Sequence, residues 1–200
     1  MTASARAAST RRQLLDAARD AFEEGGYRRT TVADIVDRAA TARGTFYLYF
    51  RNKEDVFAEL VAEAIEELRR ETAMPWAEGD RTEAVREATR TYLQVFARRR
   101  RLWRAVLEAF GAHRDVERQW LDLRARFHQR IARNLEKGRE EGQVRTDLDP
   151  LLTAEALGAM TEWLAYVEYV VRDRPDEGER FDRLVDTLTA LWVLGTTVPH

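Results

Sequence analysis

The spacing of apolar residues restricts this chain to an all-helical fold. Apolar side chains recur at intervals of three and four residues, as on one face of an α-helix, and no segment keeps the period of two of a half-buried strand. The four prolines fall between these periodic segments, where a helix breaker is tolerated. The pattern predicts about nine helices, over residues 10–24, 32–39, 42–49, 52–71, 82–98, 103–110, 114–141, 150–172 and 176–196.

Composition excludes several classes of protein. The chain has 200 residues, of which 44% are hydrophobic and 34% charged, as expected for a globular protein rather than a disordered one. It has no cysteine, and its three histidines lack the close spacing of a metal site, so we expect no metal and no cofactor. Because it has neither a long apolar run nor the apolar core of a signal peptide, we expect a cytoplasmic protein with no membrane partner.

Charge is distributed unevenly along the chain. Residues 1–53 contain ten basic and six acidic residues, whereas the remainder carries an excess of six acidic ones. A basic end on an acidic body indicates that this end meets a polyanion such as DNA.

The second and third predicted helices have the arrangement of a helix-turn-helix. They are short and separated by only residues 39–41, so they should meet at a steep angle. Phe46 and Phe50 are four residues apart and can face the core together. That packing leaves Arg43, Thr45, Tyr47 and Tyr49 to donate hydrogen bonds to phosphates or base edges, while Gly44 permits close backbone approach.

The block from Gly44 to Glu54, which reads GTFYLYFRNKE, resembles the tetracycline-repressor (TetR) family of transcription regulators. The upstream segment LLDAARDAFEEGGY supports this resemblance, which extends over residues 11–57. It implies a three-helix DNA-binding domain over residues 1–54, followed by a helical ligand-binding and dimerisation domain over residues 55–200. The resemblance implies DNA contacts from Thr30, Thr31, Arg43, Gly44, Thr45, Tyr47, Tyr49 and Lys53.

The turn of the motif departs from the family pattern. Where the family usually has Gly-Val-Ser, this chain has Ala40, Thr41 and Ala42. Alanine at position 40 is suitable only if the turn does not need a positive φ. Ala42 lacks the hydroxyl that caps the recognition helix, and we expect Thr41 to provide that cap instead.

The last two predicted helices carry apolar stripes suited to a homodimer. On the penultimate helix a stripe of large apolar side chains lies beside one of small residues that allows close helix approach. These stripes are Leu157, Met160, Leu164, Val167 and Val171, and Ala154, Gly158, Thr161 and Ala165. Two helices from each chain would form a four-helix interface and place two recognition helices about 34–36 Å apart on a palindromic operator.

Aromatic residues are concentrated in the body, where the family resemblance implies a small-molecule pocket. The candidates to line it are Trp103, Phe110, Trp120, Phe127, Trp163 and Tyr166. An alternative for each of them is ordinary core packing. Such a pocket would be mostly apolar with a few polar anchors, for which Glu162, Tyr166 and Tyr169 are candidates, and would suit a lipophilic or aromatic effector.

These observations favour a ligand-responsive repressor that is released from its operator by the effector. An enzyme built on the helical body is the second hypothesis. We expect no enzyme, because the sequence has no Ser-His-Asp order, phosphate loop or HExxH motif. A protein-interaction adaptor with a degenerate DNA-binding head is the third hypothesis, and it differs from a regulator in lacking sequence-specific DNA binding.

Overall fold

The computed structural model describes residues 3–72, 80–110 and 114–198, and over these residues it confirms the all-α fold. The helices are α1 (Ala3–Gly25), α2 (Val32–Arg38), α3 (Arg43–Tyr49), α4 (Lys53–Glu71), α5 (Arg81–Arg98), α6 (Arg100–Ala109), α7 (Arg114–Glu140), α8 (Pro150–Ala165) and α9 (Glu179–Thr196). A π-helical segment, Tyr166–Val171, follows α8 directly. None of the helices in the described ranges is long and apolar enough to cross a membrane.

The chain divides into two compact units. The first unit comprises residues 1–64 and 101–122, and the second comprises residues 65–100 and 123–200. Helices α4 and α7 therefore each contribute to both units.

An aromatic cluster forms the core of the first unit. Leu14, Phe22 and Tyr27 are almost fully buried, and the Phe22 ring lies 4.8 Å from that of Phe57 on α4. Helix α1 begins seven residues before the predicted position, in the segment ASARAAST. That segment has no large apolar residue to show periodicity, but its alanines and arginine favour helix.

Ion pairs and caps fix the helices of the second unit. Helix α5 packs along α9, where Arg90 donates to Asp182 at 3.0 Å and lies over the Phe181 ring. The segment after α7 returns to the end of α9, where the backbone N–H of Arg145 donates to the Thr196 carbonyl at 3.0 Å. Asp149 then caps α8 by accepting a hydrogen bond from the Leu152 N–H at 2.8 Å. The predicted linker at residues 74–79 lies outside the described residues.

The penultimate helix differs from the prediction of one α-helix over residues 150–172. Its α-helical part ends at Ala165 and a π-helix continues to Val171. Three consecutive residues, Glu168, Tyr169 and Val170, are buried, which one stripe of a regular α-helix does not achieve. The wider π turn brings the Glu168 carboxylate into the unit together with its apolar neighbours.

Candidate nucleic-acid interface and helical body

A capping box begins α2 and includes one of the predicted contact residues. The Thr31 hydroxyl oxygen accepts a hydrogen bond from the Asp34 N–H at 3.3 Å, and the Asp34 carboxylate accepts one from the Thr31 N–H at 2.8 Å. Hydrogen bonds from Thr31 also hold the pKa of Asp34 below its ordinary value. Thr31 is exposed at the beginning of α2, so its side chain remains accessible from solvent.

The turn between α2 and α3 has a positive φ at the position of the sequence departure. Ala40 has φ of 47°. Its N–H donates to the Asp37 carbonyl at 3.1 Å, and the Thr41 N–H donates to the Val36 carbonyl at 3.0 Å. These are the two bonds of a Schellman motif, which places its left-handed residue, usually glycine, where this chain has Ala40.

Helix α3 starts without a side-chain cap. Its N-cap is Ala42, in an extended conformation, and no side chain of the described residues caps the first turn. The expectation that Thr41 provides this cap is therefore wrong, because the Schellman motif places Thr41 one residue before the cap position. The Thr45 N–H donates to the Ala42 carbonyl at 2.9 Å, so the N–H groups that a side-chain cap would otherwise satisfy are those of Arg43 and Gly44.

Two buried phenylalanines anchor α3, as predicted. Phe46 is fully buried and Phe50 nearly so, with ring centroids 5.6 Å apart. The Arg11 guanidinium lies 5.0 Å from the Phe50 ring centroid. Because both anchors lie on one side of a seven-residue helix, they determine which side faces outward.

The outward face of α3 consists of Arg43, Gly44, Tyr47 and Leu48, while Thr45 and Tyr49 lie half-buried at its edges. Tyr47 is 49% exposed and Leu48 80%. A Cβ added at Gly44 would meet nothing within 4 Å, so the backbone there is open to close approach. Leu48 was not among the predicted contact residues, because an apolar residue in a short helix is normally assigned to the core. Its spacing of two residues from both phenylalanines indicates the opposite side, at about 100° per residue.

Thr30 and Lys53, both predicted to contact phosphate, are engaged within the first unit. Thr30 is buried, and its hydroxyl lies 3.0 Å from the Ala21 carbonyl and 2.8 Å from that of Gly26. The Lys53 ammonium donates to the Tyr27 and Thr30 carbonyls at 3.0 and 2.9 Å. These bonds tie the start of α4 to the segment that precedes α2, and leave Lys53 one further N–H.

Most arginines of the N-terminal segment have partners, which reduces the effective basic surplus. Arg11 pairs with Glu59, Arg19 with Glu63 at 2.9 Å, and Arg51 with Asp55, and all three acids lie beyond residue 53. Arg43 is exposed and makes no ion pair with any described residue. The first residue of α3 therefore presents an uncompensated guanidinium.

The aromatic residues predicted to line a pocket are divided between the two units. In the first unit Trp103 is buried, and Phe110 and Trp120 meet edge-on with ring centroids 4.9 Å apart. In the second unit Phe127 lies 6.2 Å from the ring of Tyr92.

The other two, Trp163 and Tyr166, stack on each other at 5.4 Å in the second unit. Trp163 is 62% exposed, so it lies on the surface of that unit.

Polar groups lie between the helices of the second unit. Arg124 on α7 donates to Glu162 on α8 at 2.7 Å, and about a quarter of each side chain is exposed. Burial, with a smaller contribution from Glu162, raises the pKa of Tyr92 well above its ordinary value. Burial, with a smaller contribution from Arg124, lowers the pKa of His128 to about 4. His128 is therefore a neutral imidazole at physiological pH.

A single buried carboxylate organises the π-helical segment. Glu168 accepts hydrogen bonds from Arg172 at 2.6 Å, from Arg174 at 2.9 Å and from Arg180 at 2.8 and 2.9 Å. These bonds, that of Arg180 most of all, lower its pKa to about 2. In the described part of the chain no group of three His, Asp or Glu side chains is arranged to hold a metal ion.

The small-residue stripe of α8 packs inward. Ala154, Gly158, Thr161 and Ala165 are buried, and a Cβ added at Gly158 would lie 2.5 Å from Nε2 of His128 on α7. The close helix approach that this stripe allows is thus used within the chain. The exposed side of α8 instead carries Leu152, Ala156, Ala159 and Trp163, of which Leu152 is 66% exposed.

Helices α2 and α3, joined by a tight turn, with α3 held by two buried aromatic residues and its donor and apolar groups turned outward, have the arrangement of a helix-turn-helix DNA-binding protein. Residues 14–60 match the bacterial regulatory proteins of the tetR family, and residues 85–196 match the C-terminal domain of the transcriptional regulator EthR. The chain belongs to the TetR family of transcriptional regulators. Proteins of this family bind DNA and small-molecule ligands, are typically dimeric and are not enzymes.

Individual relatives agree with this assignment. The HTH-type transcriptional repressor KstR2 of Rhodococcus jostii is 28% identical over 195 residues, which cover 95% of this chain and 92% of that protein. The A-factor receptor protein of Streptomyces griseus is 28% identical over 186 residues, which cover 88% of this chain but only 61% of the receptor. The structure of the regulator FadR from Bacillus subtilis in complex with stearoyl-CoA has a TM-score of 0.77 at 22% identity. That structure covers 92% of this chain and 97% of its own, and it supports the fold alone.

Proposed function

We propose that the protein is a ligand-responsive repressor that binds a palindromic operator as a homodimer and is released by a small lipophilic or aromatic effector. The observation that carries the proposal is the outward face of α3, which combines an unpaired guanidinium, an open glycine backbone and an exposed tyrosine. Those groups serve phosphate contact, close approach and base reading, respectively. We assign DNA binding to residues 1–54, and effector binding and dimerisation to residues 55–200.

Within the DNA-binding domain, residues 1–54, the predicted contact residues differ in whether their side chains are available to DNA or already bonded within the protein. Arg43, Gly44, Tyr47 and the half-buried Thr45 and Tyr49 lie on or beside the outward face and form the proposed base and phosphate contacts. Thr31 is exposed at the start of α2 and is the proposed phosphate contact there. We propose that Thr30 and Lys53 act mainly by holding α4 against the segment before α2, because their polar groups already have protein partners.

The proposed dimer is supported by apolar surface on the two C-terminal helices. On α8, Leu152 and Trp163 are more than 60% exposed, and on α9 Leu191 and Leu194 are 44% and 72% exposed. Two alanines lie between the exposed residues of α8, so a second copy of the helix could approach closely. Several exposed large apolar side chains on these two helices are typical of an interface. Light scattering that gives a monomer at micromolar concentration would refute the dimer.

The proposed effector site lies in the second unit beside Tyr92 and Phe127. Both residues keep some exposed surface, and the Arg124–Glu162 pair, whose charges act on the buried Tyr92 hydroxyl, offers an ionic anchor. Phe110 and Trp120 are a second half-buried aromatic pair and stay candidates for effector contact, as does Trp103. Trp163 and its stacking partner Tyr166 fit the dimer surface better than a pocket, because Trp163 is largely exposed.

Selection of bound duplexes from a random DNA pool at about 150 mM salt tests the proposal, since lower salt lets nonspecific phosphate attraction dominate. We expect an inverted repeat to be enriched. Arg43→Ala and Tyr47→Ala should each weaken binding to that repeat. Arg133→Ala, which removes an exposed arginine of α7, should leave binding unchanged. If no duplex is enriched by protein freed of bound ligand, the repressor function is refuted and the adaptor hypothesis remains.

The effector is tested with the selected duplex. Stearoyl-CoA, found with the similar Bacillus subtilis regulator, is a suitable first probe. If it binds the second unit, it should raise the melting temperature and weaken the DNA complex, because a ligand shifts the equilibrium only by its differential affinity for two states. Tyr92→Ala should reduce both effects, and Arg133→Ala, which removes an exposed side chain of α7, should reduce neither.

A further inference from the structure

Leu48 is the most exposed large apolar side chain in the described part of the molecule. It is 80% exposed, compared with 72% for Leu194, the next in order. It lies on α3, where Phe46 and the C-cap residue Phe50 are buried. The helix has therefore already met its packing requirement on one side, and Leu48 projects from the other.

The residues around Leu48 on α3 indicate the chemistry of the surface that it contacts. One turn before it lies Gly44, where an added Cβ would meet nothing within 4 Å, so the helix surface is flat there. Tyr47 and the unpaired Arg43 lie beside this stripe and are exposed. An apolar side chain beside a flat backbone and a cation suits a polyanion whose surface also carries apolar groups.

We propose that Leu48 is a specificity-determining residue that contacts the C5-methyl group of a thymine in each half-site of the operator. This inference rests on the proposed function, because it requires α3 to enter the major groove. The thymine methyl is the one apolar group that the bases present in that groove, and cytosine lacks it. Leu48 thus favours an A·T pair over a G·C pair at one position, while Arg43 and Tyr47 supply hydrogen bonds.

The magnitude follows from the area of one methyl group. Removing a methyl from contact with Leu48 should weaken binding about fourfold per half-site, the value for one buried methylene-sized group. For an inverted repeat bound by two heads, the two half-sites together should give a loss of roughly fifteenfold.

Deoxyuridine substitution isolates this contact, because it removes only the methyl group and leaves base pairing intact. In the selected duplex each thymine would be replaced, one symmetric pair at a time, and dissociation constants measured for the wild type and for Leu48→Ala. We expect one symmetric pair at which the wild type loses binding and the variant is indifferent to the methyl. Leu121→Ala removes a leucine of α7 that is 50% exposed and should behave as the wild type does.

Each outcome decides the assignment. Leu48→Ala removes an exposed side chain, so its melting temperature should equal that of the wild type and exclude a folding defect. A selected duplex whose thymines are all replaceable without loss, or a methyl penalty that persists in Leu48→Ala, overturns the assignment of Leu48 alone. A variant that loses affinity equally for thymine and deoxyuridine places Leu48 against the sugar-phosphate backbone and also overturns it. Failure to select any duplex overturns the proposed function together with this inference.

Discussion

Replacing Ala40 by glycine should stabilise the protein, although alanine-to-glycine substitutions in helices usually destabilise. Ala40 has φ of 47° and closes the Schellman motif at the end of α2. An L-residue with a Cβ in this left-handed conformation costs about 1–2 kcal/mol, which glycine avoids. Glycine lowers the free energy of unfolding by about 0.5–1 kcal/mol, because the unfolded chain is more flexible at a glycine. We therefore expect a net gain of about 0.5–1 kcal/mol, or a rise of about 1–4 °C in melting temperature for a chain of this size.

The assay is urea denaturation followed by far-UV circular dichroism, with all variants at one protein concentration because a dimer's stability depends on it. Ala33→Gly is the matched control. It makes the same chemical change at an exposed position of α2, and should cost up to about 1 kcal/mol. Ala40→Val should also destabilise, because a β-branched side chain is still less compatible with positive φ. If Ala40→Gly lowers stability as much as Ala33→Gly does, the turn does not have a positive φ and the reasoning is refuted.

Three further substitutions test other parts of the structure. Gly44→Ala should raise the free energy of unfolding in urea by up to about 1 kcal/mol, because alanine favours helix and no atom of the described residues obstructs its Cβ. The same variant should weaken binding to the selected duplex. Unchanged affinity would show that α3 does not approach DNA closely at this position. Glu168→Gln should cost about 1–3 kcal/mol at pH 7, because the neutral amide weakens the hydrogen bonds of Glu168, while the three arginines are partly exposed and stay solvated. The pKa of Glu168 is about 2 in the folded protein, below its value of about 4.3 in the unfolded chain. Its contribution to the free energy of unfolding is therefore complete above a pH of about 4.3 and is lost as the pH falls from there towards 2. Equal acid sensitivity of the wild type and the variant would contradict this assignment. Gly158→Ala should lower the free energy of unfolding by about 1–3 kcal/mol, because the new Cβ would lie 2.5 Å from the buried His128 ring. If the effects of Gly158→Ala and His128→Ala on this free energy are fully additive in the double variant, the two residues do not clash.

Local chemistry determined much of this fold and could be predicted from the sequence. The helical periodicity, the proline positions and the four-residue spacing of Phe46 and Phe50 predicted the helix order, the helix-turn-helix and the anchors of α3. Each of these depends on residues within one or two turns of each other, so no knowledge of distant neighbours is required. The Ala40–Thr41–Ala42 departure was also visible in the sequence, but only the backbone showed that Ala40 adopts positive φ.

Tertiary structure decided which of several plausible faces of each helix became buried. On α8 the small-residue stripe could have served a partner chain, but Gly158 instead accommodates the His128 ring of α7, and this turns Trp163 outward. In the DNA-binding domain, the sequence suggested Thr30 as a helix cap or a phosphate contact. Its hydroxyl is instead buried against the carbonyls of Ala21 and Gly26. Such choices depend on neighbours brought together from distant parts of the chain. A helical pattern records which side chains share a face, and only packing determines what that face meets.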